Sequence, residues 1–343
     1  MTRPTPERLL HLVDQMLDRR VLMSVDLVVD RFVHGTPKRI SREAPVLILR
    51  FEDEQLVPGG GANAVAAVRA LGGCPLPVGV VGDDAAGHGL LQIFRQRDID
   101  TRGILVRNDY RTPTKTRILA GGRHAIKQQV VRYDVEDTLE RDETLDGALA
   151  EALQNAAAGA ECAVLSDYGY GAVYPELLPT VRGLMGDRPI LGDSRYRLTS
   201  YRGLDGATPN LEEAEQVLGC VLRDDDRELL DAAGSKLLQR LDARWLLVTR
   251  GSAGMSLFTG GEPGGRHLPV HGTDQVADVT GAGDTVIGTF ALAQAAGAVP
   301  FEAAALANYA GGVVVMKMGT ATVSPTELRD AIRSDPDLLD RIA

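Results

Sequence analysis

The residues best suited to chemistry lie late in the chain, in Ala277-Asp-Val-Thr-Gly-Ala-Gly-Asp284. The segment Thr285–Ala296 reads as a helix, with Val286, Ile287, Phe290 and Leu292 apolar and small residues between them. Gly281, Ala282 and Gly283 then stand at its N-terminus. First-turn amides have no intrahelical partner there, and the helix dipole is positive. Small residues let a ligand approach the backbone. Such a turn suits an anion, above all the charge that builds on a phosphoryl group in transfer. Asp284, in the same turn, reaches an acceptor hydroxyl facing that anion and takes its proton as the oxygen–phosphorus bond forms. A glycine-rich loop whose aspartate only steadies a helix start is the plainer alternative, and Gly-x-Gly-Asp alone does not separate the two.

Elements alternate in the way that places such a turn at a ligand edge. Val21–Val25, Leu76–Val81, Ala163–Leu165, Pro189–Leu191 and Trp245–Thr249 read as buried strands. Asp84–Arg97, Leu139–Ala158, Tyr174–Met185, Leu211–Leu218 and Arg227–Leu241 read as helices. The alternation predicts an α/β fold with a mostly parallel sheet covered on both faces, and ligands beyond the carboxyl ends of its strands. Two regions break the rhythm, 31–57 and 109–134, with strand-like Val46–Phe51, Thr114–Leu119 and Lys127–Tyr133. Their mixed polarity predicts a small accessory sheet with one wet face, a lid on a single domain spanning 1–343.

Composition narrows the class. The 343 residues are 44% hydrophobic and 24% charged, with a net charge of −10. That is globular composition, and its acidity argues against nucleic acid as the main partner. Cys74, Cys162 and Cys220 form no Cys-x-x-Cys pair, and are expected as buried fillers. The six histidines lack zinc-ligand spacing, and Trp245 is expected in the core. Leu9, Leu10, Val13, Met16 and Leu17 fall on one helical face rather than in a signal-peptide core. With no run long enough for a membrane span, the expected setting is reducing cytoplasm.

Asp278-Val-Thr-Gly-Ala-Gly-Asp284 resembles the second signature of the ribokinase/PfkB carbohydrate kinases. Gly59-Gly-Gly-Ala-Asn63, followed by a helix over Ala64–Leu71, resembles the first. The resemblance implies a ribokinase-like three-layer sandwich, ATP and Mg²⁺ as cofactors, and a sugar bound by Asp30, Gly60, Gly61 and Asn63, with Asp30 just after the first strand. Thr208-Pro-Asn-Leu-Glu-Glu213 matches the family's Asn-x-x-Glu motif, implying that Asn210 and Glu213 order phosphate and magnesium-bound water. Thr249, Gly251 and Gly254 resemble the nucleotide loop, Asn308 a residue beside adenine, and Asp193 a residue near the phosphates. Asp278, Thr280, Gly319 and Ser324 correspond to a K⁺ site of potassium-activated relatives.

Details are similar to one branch, the bacterial heptose-7-phosphate kinases: Ser41–Pro45, Thr112–Arg117, Gln128–Arg132 and Ser166–Gly169. The resemblance implies Lys115, Arg117 and Arg132 on the lid as phosphate ligands, where solvated strand charge is the bland alternative; Asp167, directly after a strand, is expected to face the substrate. Three departures stand out. Val25-Asp26 replaces Gly-Asp, Tyr170 replaces Lys, and Asp193-Ser-Arg195 replaces Asp-Pro-Lys. Tyr170 leaves the exact sugar phosphate open, as ribose, fructose phosphates and nucleosides also have kinases in the family. The chain is expected to be too short for a fused nucleotidyltransferase, and a homodimer through the lid is expected from its open edges. Two rivals remain. Gly59–Ala64 fits Gly-x-Gly-x-x-Ala with Asp83 downstream, an NAD-dependent oxidoreductase pattern, although Pro58 and the charged Arg50–Gln55 argue against it. A sugar binder without turnover is the other, disfavoured by the intact Gly281–Asp284.

Overall fold

The computed structural model describes residues 3–122, 127–223, 226–272 and 277–341. In chain order its strands are β1 (Arg20–Val25), β2 (Leu27–Ile40), β3 (Leu47–Gly60), β4 (Cys74–Gly82), β5 (Ile104–Arg107), β6 (Thr114–Ala120), β7 (Gln128–Val135), β8 (Cys162–Asp167), β9 (Ile190–Ser194), β10 (Gly206–Ala207), β11 (Trp245–Thr249), β12 (Met255–Thr259) and β13 (Arg266–Leu268). The helices are α1 (Pro6–Gln15), α2 (Gly61–Ala70), α3 (Ala85–Gln96), α4 (Glu143–Ala156), α5 (Leu178–Met185), α6 (Leu211–Leu218), α7 (Arg227–Leu241), α8 (Ala282–Ala295), α9 (Pro300–Val315) and α10 (Pro325–Ser334).

Strands β5-β4-β1-β8-β9-β10-β11 pair in parallel, and β12 and β13 add an antiparallel edge. Alternation of side chains along each strand divides the core between the faces. Val21, Met23 and Val25 enter one core with residues of α1, α2, α3, α8, α9 and α10. Leu22, between them, enters the other with residues of α4 and α5. A third cluster joins α6 and α7 to β11 and β12. Helix α8 is buried on nearly every side, so its small residues are packing surfaces. A β-carbon at Gly288 would lie 3.0 Å from the Ala64 carbonyl oxygen, so α2 and α8 approach almost backbone to backbone. Phe290, on α8, stacks on Trp245 with ring centroids 4.1 Å apart.

The second sheet has the order β3-β2-β6-β7. Its long strand β2 changes from buried to exposed along its length, so no single sequence pattern marks it; only Asp26 separates it from β1, and the chain runs on from one sheet into the other. Asp30 therefore lies inside β2, and the residue just after the first strand is Asp26. The stretch 109–134 includes 123–126, outside the described residues. Helix starts also moved for local reasons. Asp142 caps α4 by accepting from Leu145 N, so Leu139–Asp142 stay outside it. Pro175 opens a short 3₁₀ turn before α5. Cys162 is buried as expected, but Cys220 is exposed, just past the left-handed Gly219 that ends α6.

Candidate active site

The close approach of α2 to α8 sets two side chains on one carboxylate. Asn63 Nδ2 donates to Asp284 Oδ2 at 3.1 Å, and the Tyr168 hydroxyl donates to Oδ1 at 2.6 Å. Asp284 is 5% exposed. Burial pushes its pKa up to about 6, against the pull of these two hydrogen bonds and of Lys115, while the Asp30 charge adds to the rise. Gly281 precedes it with φ +79°, a left-handed conformation, and a β-carbon there would lie 2.4 Å from Asn63 Nδ2. The Gly281 carbonyl accepts from Asn63 at 3.3 Å. The Ala282 amide is engaged by the Val279 carbonyl at 3.2 Å, which leaves the anion-facing role to the amides of Gly283 and Asp284. Nothing lies within 4 Å of a β-carbon built at Gly283, so that turn opens outward.

Beside this turn lies a cavity of about 570 Å³, lined by Asp167, Tyr168, Asp193, Arg195, Asn210, Glu213 and Gly281 among others. That volume suits a nucleotide. Asn210 and Glu213 form a reciprocal cap on α6: Glu213 N donates to Asn210 Oδ1 and Asn210 N to Glu213 Oε2. The Asn-x-x-Glu spacing is thus also a capping box. Burial raises the Glu213 pKa. Asp193 is raised well above the usual carboxylate range by burial, then by the charges of Glu213, Asp284 and Asp167. Such mutual repulsion fits a site completed by a cation. No cluster of three acidic, histidine or cysteine side chains able to hold a metal ion exists among the described residues.

The remaining predicted residues fall in three places. On the smaller sheet, Asp30 pairs with Arg117 at 2.6 Å, and Arg117 stands opposite Arg132 in the β6–β7 register. Lys115 has no ion-pair partner among the described residues and lies 5.5 Å from the centroid of the Tyr168 ring. Burial lowers its pKa, with Arg132 and Arg195 acting in the same direction against Asp30 and Asp284. Gly60 and Gly61 are where β3 meets α2; β-carbons there would lie 3.3 Å from the Tyr168 ring and 2.7 Å from the Asp26 carbonyl oxygen respectively. The glycine run thus closes an antiparallel strand of the smaller sheet, not the buried parallel strand a dinucleotide fingerprint needs.

On the other side of the cavity, Thr249 N donates to Pro209 O, which sets Thr249 beside Asn210, and Gly251 and Gly254 bound the short turn that follows. Asn308 donates to Pro269 O at 2.7 Å. In the third place, Asp278 accepts from Thr280 N at 2.9 Å and Gly319 N at 3.2 Å. Ser324 instead caps α10, its hydroxyl bonded to Glu327. Asp167 is saturated by Arg197, Ser194, Tyr201 and Gly169 N, which makes it an anchor of the cavity wall.

Sequence reasoning missed Tyr168, Asp26 and Arg195. Tyr168 lies within Ser166–Gly169 and Arg195 within Asp193-Ser-Arg195, so resemblance alone pointed near both without giving either a contact. Asp26 was seen only as a departure after strand one. Were Asp284 to accept a proton in catalysis, it would have to be ionised, and activity would rise with pH through its folded pKa. The kcat/KM profile, measured with an acceptor that does not itself titrate in this range, would then show an acidic limb near about 6. A limb two units lower would show an ordinary carboxylate instead.

This arrangement is of the ribokinase-like class. Ribokinase of Arabidopsis thaliana, solved with ribose and ATP, has the same fold, with a TM-score of 0.67 at 20% identity over 94% of this chain and 99% of that one. Phosphofructokinase-2 from Escherichia coli, solved with potassium, gives 0.73 at 18% identity over 95% and 100%. The family described as pfkB family carbohydrate kinase matches residues 20–327, and the chain belongs to it. The bifunctional protein HldE of Mesorhizobium japonicum is 38% identical over 334 residues, 96% of this chain. The chain spans 65% of that relative's length. No helix among the described residues is long and apolar enough to cross a membrane.

Proposed function

We propose that this carbohydrate kinase transfers the γ-phosphoryl group of ATP to a hydroxyl of a sugar phosphate, with heptose 7-phosphate as the preferred acceptor. The observation that carries the reading is Asp284 in the first turn of α8, bonded by Tyr168, whose ring lines the neighbouring cavity and lies 5.5 Å from Lys115, a lysine with no ion-pair partner among the described residues. The acceptor hydroxyl gives its proton to Asp284 as its oxygen bonds to the γ-phosphorus. The bond from that phosphorus to the bridging oxygen breaks, and ADP leaves. Amides of Gly283 and Asp284 face the charge on the transferred group. Bound Mg²⁺ neutralises phosphate charge, and Asp193, Asn210 and Glu213 would order its water shell. Asp30, Gly60, Gly61 and Asn63 would hold the sugar, and the smaller sheet would act as a lid that excludes water. Asp278, Thr280 and Gly319 would provide the K⁺ site, since the Ser324 side chain is committed to its helix.

An ATP-consumption screen over heptose 7-phosphate, ribose, fructose 6-phosphate and nucleosides tests the acceptor. Turnover only with unphosphorylated sugars would reject a sugar-phosphate acceptor, and none with any would favour a binder. Lys115→Met and Arg132→Met should each raise the KM for a phosphorylated acceptor by about 10- to 100-fold, the loss of one charge-assisted hydrogen bond. An unchanged KM would return these residues to solvated strand charge.

The smaller sheet also exposes Ile40, Phe51, Val130, Val131 and Tyr133. A second copy packed on this sheet would cover them. Light scattering should report a dimer, and Phe51→Glu should make it a monomer. A wild-type monomer at micromolar concentration would reject this.

A further inference from the structure

Asp26 is 1% exposed and has no ion-pair partner among the described residues. Four backbone amides converge on it instead. Oδ2 accepts from Tyr168 N at 2.9 Å and Tyr170 N at 3.0 Å. Oδ1 accepts from Ala172 N at 3.0 Å and Val173 N at 3.3 Å. The segment can turn its amides inward because Gly169 and Gly171 adopt φ +86° and +96°. β1 and β8 are neighbours in the parallel sheet, and Asp26 N donates to Ser166 O at 3.0 Å. The carboxylate is thus a joint between the end of one strand and the loop after the next. Asp167 grips the same loop from its other side, through Gly169 N at 2.9 Å.

Between these two grips stands Tyr168, whose hydroxyl reaches Asp284 at 2.6 Å. Its ring lies against Gly60 on the sugar side and under Lys115. A buried carboxylate without a cation is a costly way to close a turn. Here it fixes to within a hydrogen-bond length a side chain that bonds Asp284 and packs beside Gly60 and Lys115. We propose that Asp26 is a positioning residue for phosphoryl transfer: by gathering the amides of the Tyr168–Val173 loop it sets where the Tyr168 hydroxyl meets Asp284. The inference rests on the reading of Asp284 as the base.

A double-mutant cycle on the full chain tests it, with ATP and heptose 7-phosphate, or fructose 6-phosphate if that acceptor turns over instead. Tyr168→Phe and Asp26→Asn should each lower kcat by about tenfold or more, with both KM values changed by less than about threefold. The double variant should be no slower than about threefold below the worse single, because both changes remove one contact. Multiplied effects, or a wild-type kcat in Asp26→Asn, would overturn the link. Should Asp26→Asn fail to fold, Gly169→Ala displaces the same loop from its outer side, where its β-carbon would meet Tyr196 at 3.3 Å. The same cycle with Tyr168→Phe then decides, and additivity again overturns the link. Asp284→Asn separates the two claims. Wild-type turnover in that variant removes the base, whereas a dead Asp284→Asn with multiplying Asp26 and Tyr168 effects removes only the positioning role.

Discussion

Asp284→Asn is expected to lower kcat by about 10²–10⁴-fold, the usual contribution of a positioned general base. The substitution keeps shape and one hydrogen-bond acceptor, so Tyr168 can still donate to the amide oxygen. The other hydrogen bond is lost, because the new amide nitrogen faces the Asn63 nitrogen. A neutral amide cannot take the hydroxyl proton. ATP affinity should change by less than about tenfold, or 1.4 kcal/mol, because the carboxylate does not line the cavity proposed for the nucleotide. If anything it should tighten, since one of the negative charges acting on Asp193 is gone. Equilibrium ATP binding measured beside single-turnover rates separates these effects. Near-normal turnover would mean that another group accepts the proton and that the convergence on Asp284 is structural.

Gly281→Ala should come second, through two costs at one atom. The left-handed φ of +79° disfavours any side chain, by roughly 1–2 kcal/mol. The new methyl would stand 2.4 Å from Asn63 Nδ2 and 3.0 Å from Thr320 Cγ2, so Asn63 must leave Asp284 or the loop must move. Loss of a hydrogen bond to a charged group is worth about 1.5–3 kcal/mol, which predicts a kcat about 10- to 100-fold lower. Gly283→Ala is the control for stability alone, since its amide faces the proposed anion. It has open space around its β-carbon, and alanine is the better helix former, so thermal stability should hold or rise. If Gly281→Ala keeps the wild-type kcat and melting temperature, the contact between Gly281 and Asn63 carries no catalytic weight.

The site was legible where one short segment holds both the geometry and the chemistry. Gly281–Asp284 read as a helix start with an exposed anion face because small residues, a following apolar helix and an acid fall within a few positions. Asn210 and Glu213 were legible for the same reason: their spacing caps a helix and faces a cleft at once. The parallel strands were legible because burial on both faces leaves continuous apolar runs such as Trp245–Thr249. β2 was not, since its residues change from buried to exposed along its length and no single pattern holds.

What the sequence by itself determined is therefore local: the alternating elements, the Gly281–Asp284 turn and the cap at Asn210 and Glu213. Only the tertiary structure decided which distant groups share an atom. Asn63 and Tyr168 meet Asp284 across sequence separations of 221 and 116 residues. Asp26 gathers a loop more than 140 positions away. No periodicity encodes such pairings, because they follow from the order in which strands line up in a sheet and from how closely glycines and alanines let α2 approach α8.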